Sequence, residues 1–432
     1  MARPAPPAAP PPRLLATRLL VKILKRGLPF DRALLHEHAT PFVHELLYGV
    51  LRHYFSLSER VSRHLQKPLR NKDFDLFCLL MTGALQILHL RTPAHAAVNE
   101  SVDIARRLGK PWADKLINAV LRTVAKDTFE GQGIEAAFDH PKWLIEQAQA
   151  QYPHHWHDLL LANLTKAPMC LRVNATKTPR EAVLETLQRN GSPAVPGTLP
   201  SCIILEAPMP SEQIPGIASG ELSIQDQGAQ FAARLLDAKP GMRVLDACAA
   251  PGNKTAHLLE HTPGIALTSV DQSESRLQRI KTECDRLGLP TPEIICARFE
   301  QLAWWDGRPF DAVLLDVPCS GTGTLRRHPD IKVLAKADDL QAHHQNQMRL
   351  LDAAWRTLKP GGKLLYSTCS MLKRENEDSV QALRTRSDAA VLDMPQIKAC
   401  GLVSIETQSG VQLVTTPQGP DAMFYALFGK RA

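Results

Sequence analysis

The chain predicts three folded modules in series: an all-α front domain, a small α+β insert, and a doubly wound α/β domain at the carboxyl end. Three observations carry this. Apolar residues recur at helical spacing from residue 13 to about 125, with few β-branched runs. Short alternating runs joined by Pro- and Gly-rich connections follow to about residue 220. From Met242 onward strand-like and helix-like segments alternate, the order that builds a mostly parallel sheet covered by helices. A length of 432 residues exceeds one ordinary core and fits two to four domains.

Residues 1–12 are proline-rich and read as a disordered tail, without the apolar core of a signal peptide. Within 13–135, Ala16, Leu19, Leu20, Ile23 and Leu24 share one helix face. So do Leu46, Leu47, Val50 and Leu51, then Leu57, Val61 and Leu65, and a last helix covers 112–124. The apolar stretch 77–90 is too short to span a bilayer and contains Thr82, Gln86 and His89, so it reads as a buried helix. The insert, 136–222, predicts helices over 142–150 and 156–164 and strands over 169–174 and 202–205. Its third helix starts with Thr178 as N-cap, Pro179 at the first position and Glu181 closing a capping box, and ends at Asn190-Gly191. The last domain, 223–432, predicts strands at 244–247, 266–270, 293–296, 312–315 and 363–366. Helices fill 254–260, 274–287, 339–358 and 377–386, and 411–415 with 423–428 form an antiparallel edge hairpin. No internal repeat is apparent.

Net charge is +7, and it is uneven: residues 1–135 carry 20 Lys+Arg against 12 Asp+Glu, the remainder 31 against 32. A basic front module on a near-neutral domain suits a polyanion, most simply nucleic acid, although solvated helix faces explain the same charge. The nine cysteines form no CxxC pair, so neither a disulfide framework nor a zinc site is indicated, and a reducing, cytoplasmic setting fits.

Two of those cysteines stand apart. Asp316-Val-Pro-Cys319-Ser-Gly-Thr-Gly and Tyr366-Ser-Thr-Cys369-Ser each follow an apolar run that reads as a buried strand. In an open α/β sheet, ligands bind beyond the carboxyl ends of such strands. Two thiols there can share a pocket, and a thiolate with a second thiol beside it suggests a two-stage covalent reaction. A third strand end precedes Asp246-Ala-Cys248-Ala249-Ala250-Pro251-Gly252-Asn253-Lys254, whose small residues let backbone approach a ligand closely. No GxGxxG is present, and the P-loop pattern fails because Asn253 precedes Lys254 and Ala247 occupies the first Gly position. Asp271, ending the second strand, suits ribose hydroxyls, which need acceptors, or caps the next helix.

Together these segments resemble the RNA 5-methylcytosine methyltransferases that use S-adenosylmethionine, in particular the bacterial ribosomal RNA small-subunit methyltransferase B type, the Sun or Fmu family. The loop 246–255 is similar to the family's adenosylmethionine loop. Asp316 to Gly323 with Arg326-Arg327-His328-Pro-Asp-Ile-Lys332 is similar to its target-base loop, and Tyr366 to Ser370 with Glu375-Asn-Glu377 to its nucleophile loop. Gly49-Val-Leu-Arg52, His95 to Glu100 and Leu116 to Arg122 resemble a NusB-like RNA-binding domain, and Ser223 to Gln230 the lead-in to the catalytic domain.

The resemblance implies a Rossmann-like S-adenosylmethionine methyltransferase domain and a ribosomal RNA substrate, without membrane or metal; a monomer is expected. It implies that Cys369 attacks carbon 6 of cytosine, that Cys319 helps release the product, and that Asp316 meets the polar edge of the base. Lys254 would stabilise the loop or the base, while Arg326, Arg327, His328 and Lys332 would hold RNA phosphates. The family usually has Gly where Asn253 stands, and Asn is expected to tolerate a left-handed turn. It usually has Asp near Ala297, so any adenine contact there would be made by backbone. A transfer-RNA cytosine methyltransferase and an inert RNA-binding assembly factor are the alternatives.

Overall fold

The structure is a computed structural model and describes residues 9–128 and 131–431. It divides into two compact units: 1–164 with 325–335, and 165–324 with 336–432.

The first unit is helical. Its longer helices are Pro12–Arg26, Pro41–Arg52, Tyr54–Arg63, Phe74–Leu88, Ala94–Arg107 and Asp114–Val124. The apolar faces expected from the periodicity meet in one core: Leu19, Leu20, Ile23, Leu46, Val50, Leu79 and Leu121 are all nearly inaccessible. Pro12 opens the first helix, where its missing N–H costs nothing; residues 1–8, most of the expected tail, lie outside the described residues. Helices Lys142–Gln151 and Trp156–Ala162, expected in the insert, are grouped by their contacts with this unit. Asp139 ties the approach to them: it accepts from the Ser56 amide at 2.8 Å and from Ser56 Oγ at 2.8 Å.

The second unit contains two sheets. The small one has strands β1 (Met169–Val173), β2 (Ala194–Pro196), β3 (Cys202–Leu205) and β4 (Leu222–Ile224), in the antiparallel order β2-β3-β1-β4. Helix Arg180–Arg189 packs Val183 and Leu187 against Leu171, Ile203 and Leu222. The expected capping box does not form. Pro179 is the cap and no side chain caps the first helix amides, because the helix starts one residue later than Thr178 requires.

The large sheet comprises β5 (Arg243–Ala247), β6 (Ala266–Asp271), β7 (Glu293–Cys296), β8 (Phe310–Asp316), β9 (Leu358–Thr368), β10 (Ala389–Val391), β11 (Ser404–Glu406), β12 (Val411–Leu413) and β13 (Phe424–Lys430). Its order is β11-β12-β13-β9-β8-β5-β6-β7, with β10 pairing β13. Strands β5 to β9 are mutually parallel and β13 is antiparallel to β9. The expected edge hairpin is therefore real, but β13 lies inside the sheet and β11 extends it outward. Chain order reverses between β5 and β8, which creates the crevice where such sheets bind ligands.

The small sheet is fastened to the large domain by Arg172 of β1. Its guanidinium grips Glu260 at 2.7 and 2.8 Å and donates to Gln225 Oε1 at 2.7 Å and to the Asn253 carbonyl at 3.0 Å. A charge this buried persists only where its donors are met, and the fork of Arg meets a carboxylate with two.

Candidate active site

Three loops converge at the reversal point. The first follows β5. Cys248 and Gly252 take left-handed backbone, φ 61° and 107°, while Asn253 is the first residue of helix Asn253–His261. Asn253 therefore has no left-handed turn to tolerate, and the expectation that it does is corrected. Gly252 is required: a Cβ there would stand 2.9 Å from Ile280 Cγ1. The Ala250–Pro251 peptide is cis.

Asp271, at the end of β6, holds this loop from the other side. Its Oδ2 accepts from the Ala250 amide at 3.2 Å and its Oδ1 from the Ser273 amide at 2.9 Å. It also lines a cleft with Cys248, Ala297, Phe299, Glu300 and Pro318. The Ala297 amide donates to the Asp271 carbonyl at 3.0 Å, so it is already used. A carboxylate reaches the same cleft from Glu300, three residues further on than the family pattern placed one.

The second and third loops follow β8 and β9, whose ends pair Asp316 with Ser367. This brings Cys319 Sγ to 3.4 Å from Cys369 Sγ. Both residues are half-buried. The S–H of Cys319 donating to Cys369 is the largest influence lowering the Cys369 thiol; burial opposes it and Lys254 assists it. The same hydrogen bond pushes the Cys319 thiol well up, with burial adding to it. Within the pair, the shifts favour ionisation of Cys369 over Cys319. Cys248 differs, because burial drives its thiol up.

Asp316 accepts from Ser367 Oγ at 2.7 Å and from Lys254 Nζ at 2.6 Å. Burial pulls the Lys254 ammonium down, but Asp316 outweighs this by charge and hydrogen bond, and the net direction is up. The loop after β5 and the end of β8 are thereby joined beside the two thiols.

Two further groups were not recognised as functional from sequence. Asp246 is wholly buried; Thr255 Oγ1 donates to its Oδ2 at 2.6 Å, and Oδ1 has no partner. Burial pushes its carboxyl up to about 7. Glu375, also fully buried, takes hydrogen bonds from both cysteine loops. The resemblance marked Glu375-Asn-Glu377 as part of the nucleophile loop, but gave Glu375 no role of its own.

The expected phosphate contacts need correction. Residues 325–335 belong to the helical unit. Arg326 and Lys332 are 1% and 2% exposed, so neither presents its charge to an RNA backbone. Lys332 Nζ donates to the Arg52 and Asp139 carbonyls, each at 2.5 Å. His328 lies 3.3 Å from Asp31, and Arg327 has contacts of its own. A basic run reads as solvated until its backbone is folded against a partner surface.

Among the described residues no helix is long and apolar enough to cross a membrane, and no group of three or more His, Cys, Asp or Glu could hold a metal.

The fold and this loop set are those of a methyltransferase. The family model described as 16S rRNA methyltransferase RsmB/F matches residues 233–429, a ferredoxin-like domain of RsmF/B-like methyltransferases matches 140–212, and the NusB family matches 10–126. A probable ribosomal RNA small subunit methyltransferase B of Coxiella burnetii is 42% identical, covering 90% of this chain and 92% of its own. The ribosomal RNA small subunit methyltransferase B of Pseudomonas syringae pv. tomato is 40% identical over 96% of each. Among solved structures, a methyltransferase homolog from Pyrococcus horikoshii aligns with TM-score 0.60 at 24% identity, over 69% of this chain and 97% of its own. The chain belongs to the RsmB/F methyltransferase family, with a NusB-family domain in front.

Its methyl donor is S-adenosylmethionine, and the residues present fit it. The close-packed Gly252 turn leaves backbone open at the β5 end, Asp271 offers a carboxylate to hydroxyls, and Asp246 has an unpaired buried oxygen behind the loop.

Proposed function

We propose that the protein methylates carbon 5 of a cytosine in small-subunit ribosomal RNA through a covalent bond to Cys369. The observation that carries this is the close thiol pair, together with the Lys254–Asp316 ion pair. The names of its relatives favour ribosomal RNA as substrate.

Carbon 5 of cytosine is a weak nucleophile. Addition of the Cys369 thiolate at carbon 6 pushes an electron pair toward carbon 5, which can then accept a methyl group. S-adenosylmethionine supplies that methyl as an electrophilic sulfonium substituent; Cys248 to Lys254 and Asp271 would hold it, with Ala297 and Glu300 along the cleft wall. Asp316 receives the polar edge of the base. Lys254 balances its charge and offers a proton as negative charge grows on the ring.

After transfer, a base must take the carbon 5 proton so that the electron pair re-forms the ring double bond and expels Cys369. Cys319 suits this step. What pushes its thiol up is chiefly the hydrogen bond to Cys369, and once Cys369 is bonded to carbon that cause is weakened, so Cys319 can release its own proton to solvent and then, as the thiolate, take the proton from carbon 5. The target base must leave its stack to enter the site.

Bisulfite sequencing of ribosomal and transfer RNA from cells lacking the protein tests the reading. A single cytosine in small-subunit RNA should lose protection. Loss confined to transfer RNA would reassign the substrate, and no loss anywhere would remove the activity.

A further inference from the structure

The two thiols approach each other from different loops, and hydrogen bonds to one side chain hold those loops together. Glu375 Oε1 accepts from the Ser320 amide at 2.7 Å and its Oε2 from Ser320 Oγ at 2.5 Å. The same Oε2 accepts from Ser370 Oγ at 2.5 Å. Ser320 directly follows Cys319, and Ser370 directly follows Cys369. Gln347 completes the frame: its Nε2 donates to Glu375 Oε1 at 3.3 Å and to the Pro318 carbonyl at 3.1 Å.

The Glu375 backbone is itself fixed, because Tyr366 of β9 donates its hydroxyl to the Glu375 carbonyl at 2.7 Å. Asn376 adds a bond from Nδ2 to the Ser370 carbonyl at 2.9 Å. A carboxylate with no accessible surface persists only where donors converge on it, and here four hydrogen bonds do. Three of them come from the residues next to the two sulfurs, so the anchor points set the sulfur positions.

We propose that Glu375 is the positioning residue that sets the separation of the Cys319–Cys369 thiol pair, by clamping both cysteine loops to one buried carboxylate.

The role has two separable parts. Clamping keeps Cys319 donating to Cys369, which lowers the Cys369 thiol. The negative charge of Glu375 acts the other way and raises it, as a smaller influence. Glu375→Gln removes the charge and keeps a side chain that can bond both serines, since a hydroxyl can donate to the amide oxygen or accept from its nitrogen. Glu375→Ala removes charge and clamp together. The two substitutions should therefore shift the Cys369 thiol in opposite directions.

The experiment is iodoacetamide alkylation of the full-length protein across pH, reading the Cys369 and Cys319 peptides by mass spectrometry. In Glu375→Gln the pH midpoint of Cys369 alkylation should fall below the wild-type value. In Glu375→Ala it should rise, by about one pH unit, toward the midpoint found in Cys319→Ala. Ser320→Ala, which keeps the carboxylate and loses one anchor, should rise by less and guards against an Ala variant that does not fold. Equal downward shifts in Gln and Ala would overturn the proposal, leaving Glu375 as a charge without a clamp. A Cys369 midpoint that none of the three moves would overturn it too.

Its catalytic meaning rests on the covalent reading above, and the two fail separately. Titration tests the clamp without RNA. With RNA, Glu375→Ala should lower kcat for methylation at least 100-fold while KM for the methyl donor stays within threefold, and Glu375→Gln should recover most of the rate. Opposite shifts in titration with unchanged methylation would keep the clamp and sink the covalent reading.

Discussion

Lys254 Nζ stands 2.6 Å from Asp316 Oδ1, so the helix start after β5 and the end of β8 meet in an ion pair. The lysine side chain is 14% exposed and the aspartate 33%, which places the pair at the mouth of the site rather than in the core. A charge at that position can respond to charge that develops on a bound base.

Replacing the lysine tests this. Lys254→Met keeps the length and removes the ammonium. The methylation rate at saturating methyl donor should fall by roughly 10²- to 10³-fold, the scale of one lost electrostatic contact in a transition state. Single-turnover kinetics would read it, and a loss below threefold would reduce the pair to a structural tie.

Cys319→Ala should still permit attack and methyl transfer but block release. It should accumulate a protein–RNA species that survives denaturing electrophoresis and carries a methylated base. Cys369→Ala and the double variant should show none, since residues serving one reaction are non-additive. Trapping by Cys369→Ala instead would reverse the assignment.

Asp271 takes two backbone amides as well as facing the cleft. Asp271→Ala should weaken S-adenosylmethionine binding by roughly 1.5–3 kcal/mol, the scale of a lost hydrogen bond to a charged group. Calorimetry measures it. Unchanged binding would show that the carboxylate only caps the loop.

Arg18, Lys22 and Arg26 are exposed on helix Pro12–Arg26 at intervals of four, so they form one basic stripe. Replacing all three by Ala should reduce the slope of log RNA affinity against log salt by about two to three. A filter-binding series from low to high salt decides it, and an unaltered slope would place the RNA surface elsewhere. This triple variant is a cleaner probe than deleting residues 1–135, which would remove Arg52 from the buried Lys332.

Lys332 also predicts a pH dependence. Burial pulls its ammonium down to about 7, with Arg52 adding to the shift and Asp139 opposing it. A lysine in the unfolded chain titrates near ~10.4. Between these values the unfolded chain binds the extra proton, so this group makes stability rise with pH from about 7 to about 10 and flat below 7. Relative to Lys332→Met, the wild-type melting temperature should climb across that window. Parallel curves would mean that the lysine stays charged.

The strands that build the site were legible because of where they sit. Strands β5, β8 and β9 are covered on both faces, and such strands appear as continuous apolar runs such as Ala312-Val-Leu-Leu315. Helices Glu274–Leu287 and Asp339–Thr357 fall within one residue of expectation, because their periodicity is long. Strands β2, β4, β10 and β11 are three residues each, and β4 and β10 depend on partners far away in sequence, which no local pattern encodes.

The sequence by itself determined the chemistry on offer: two thiols and an aspartate after apolar runs, a small-residue loop ending in lysine, and a basic front module. Those are properties of residue type and near neighbours, and they survive without coordinates. Tertiary structure alone decided which charges work and where. It buried Arg326 and Lys332 in the helical unit and moved the left-handed turn from Asn253 to Gly252. It also brought Glu375 under both cysteines. The reason is physical: whether a charged side chain meets water, a carbonyl or a buried hydroxyl depends on what packs over it, and here that includes segments 55 and 280 residues away.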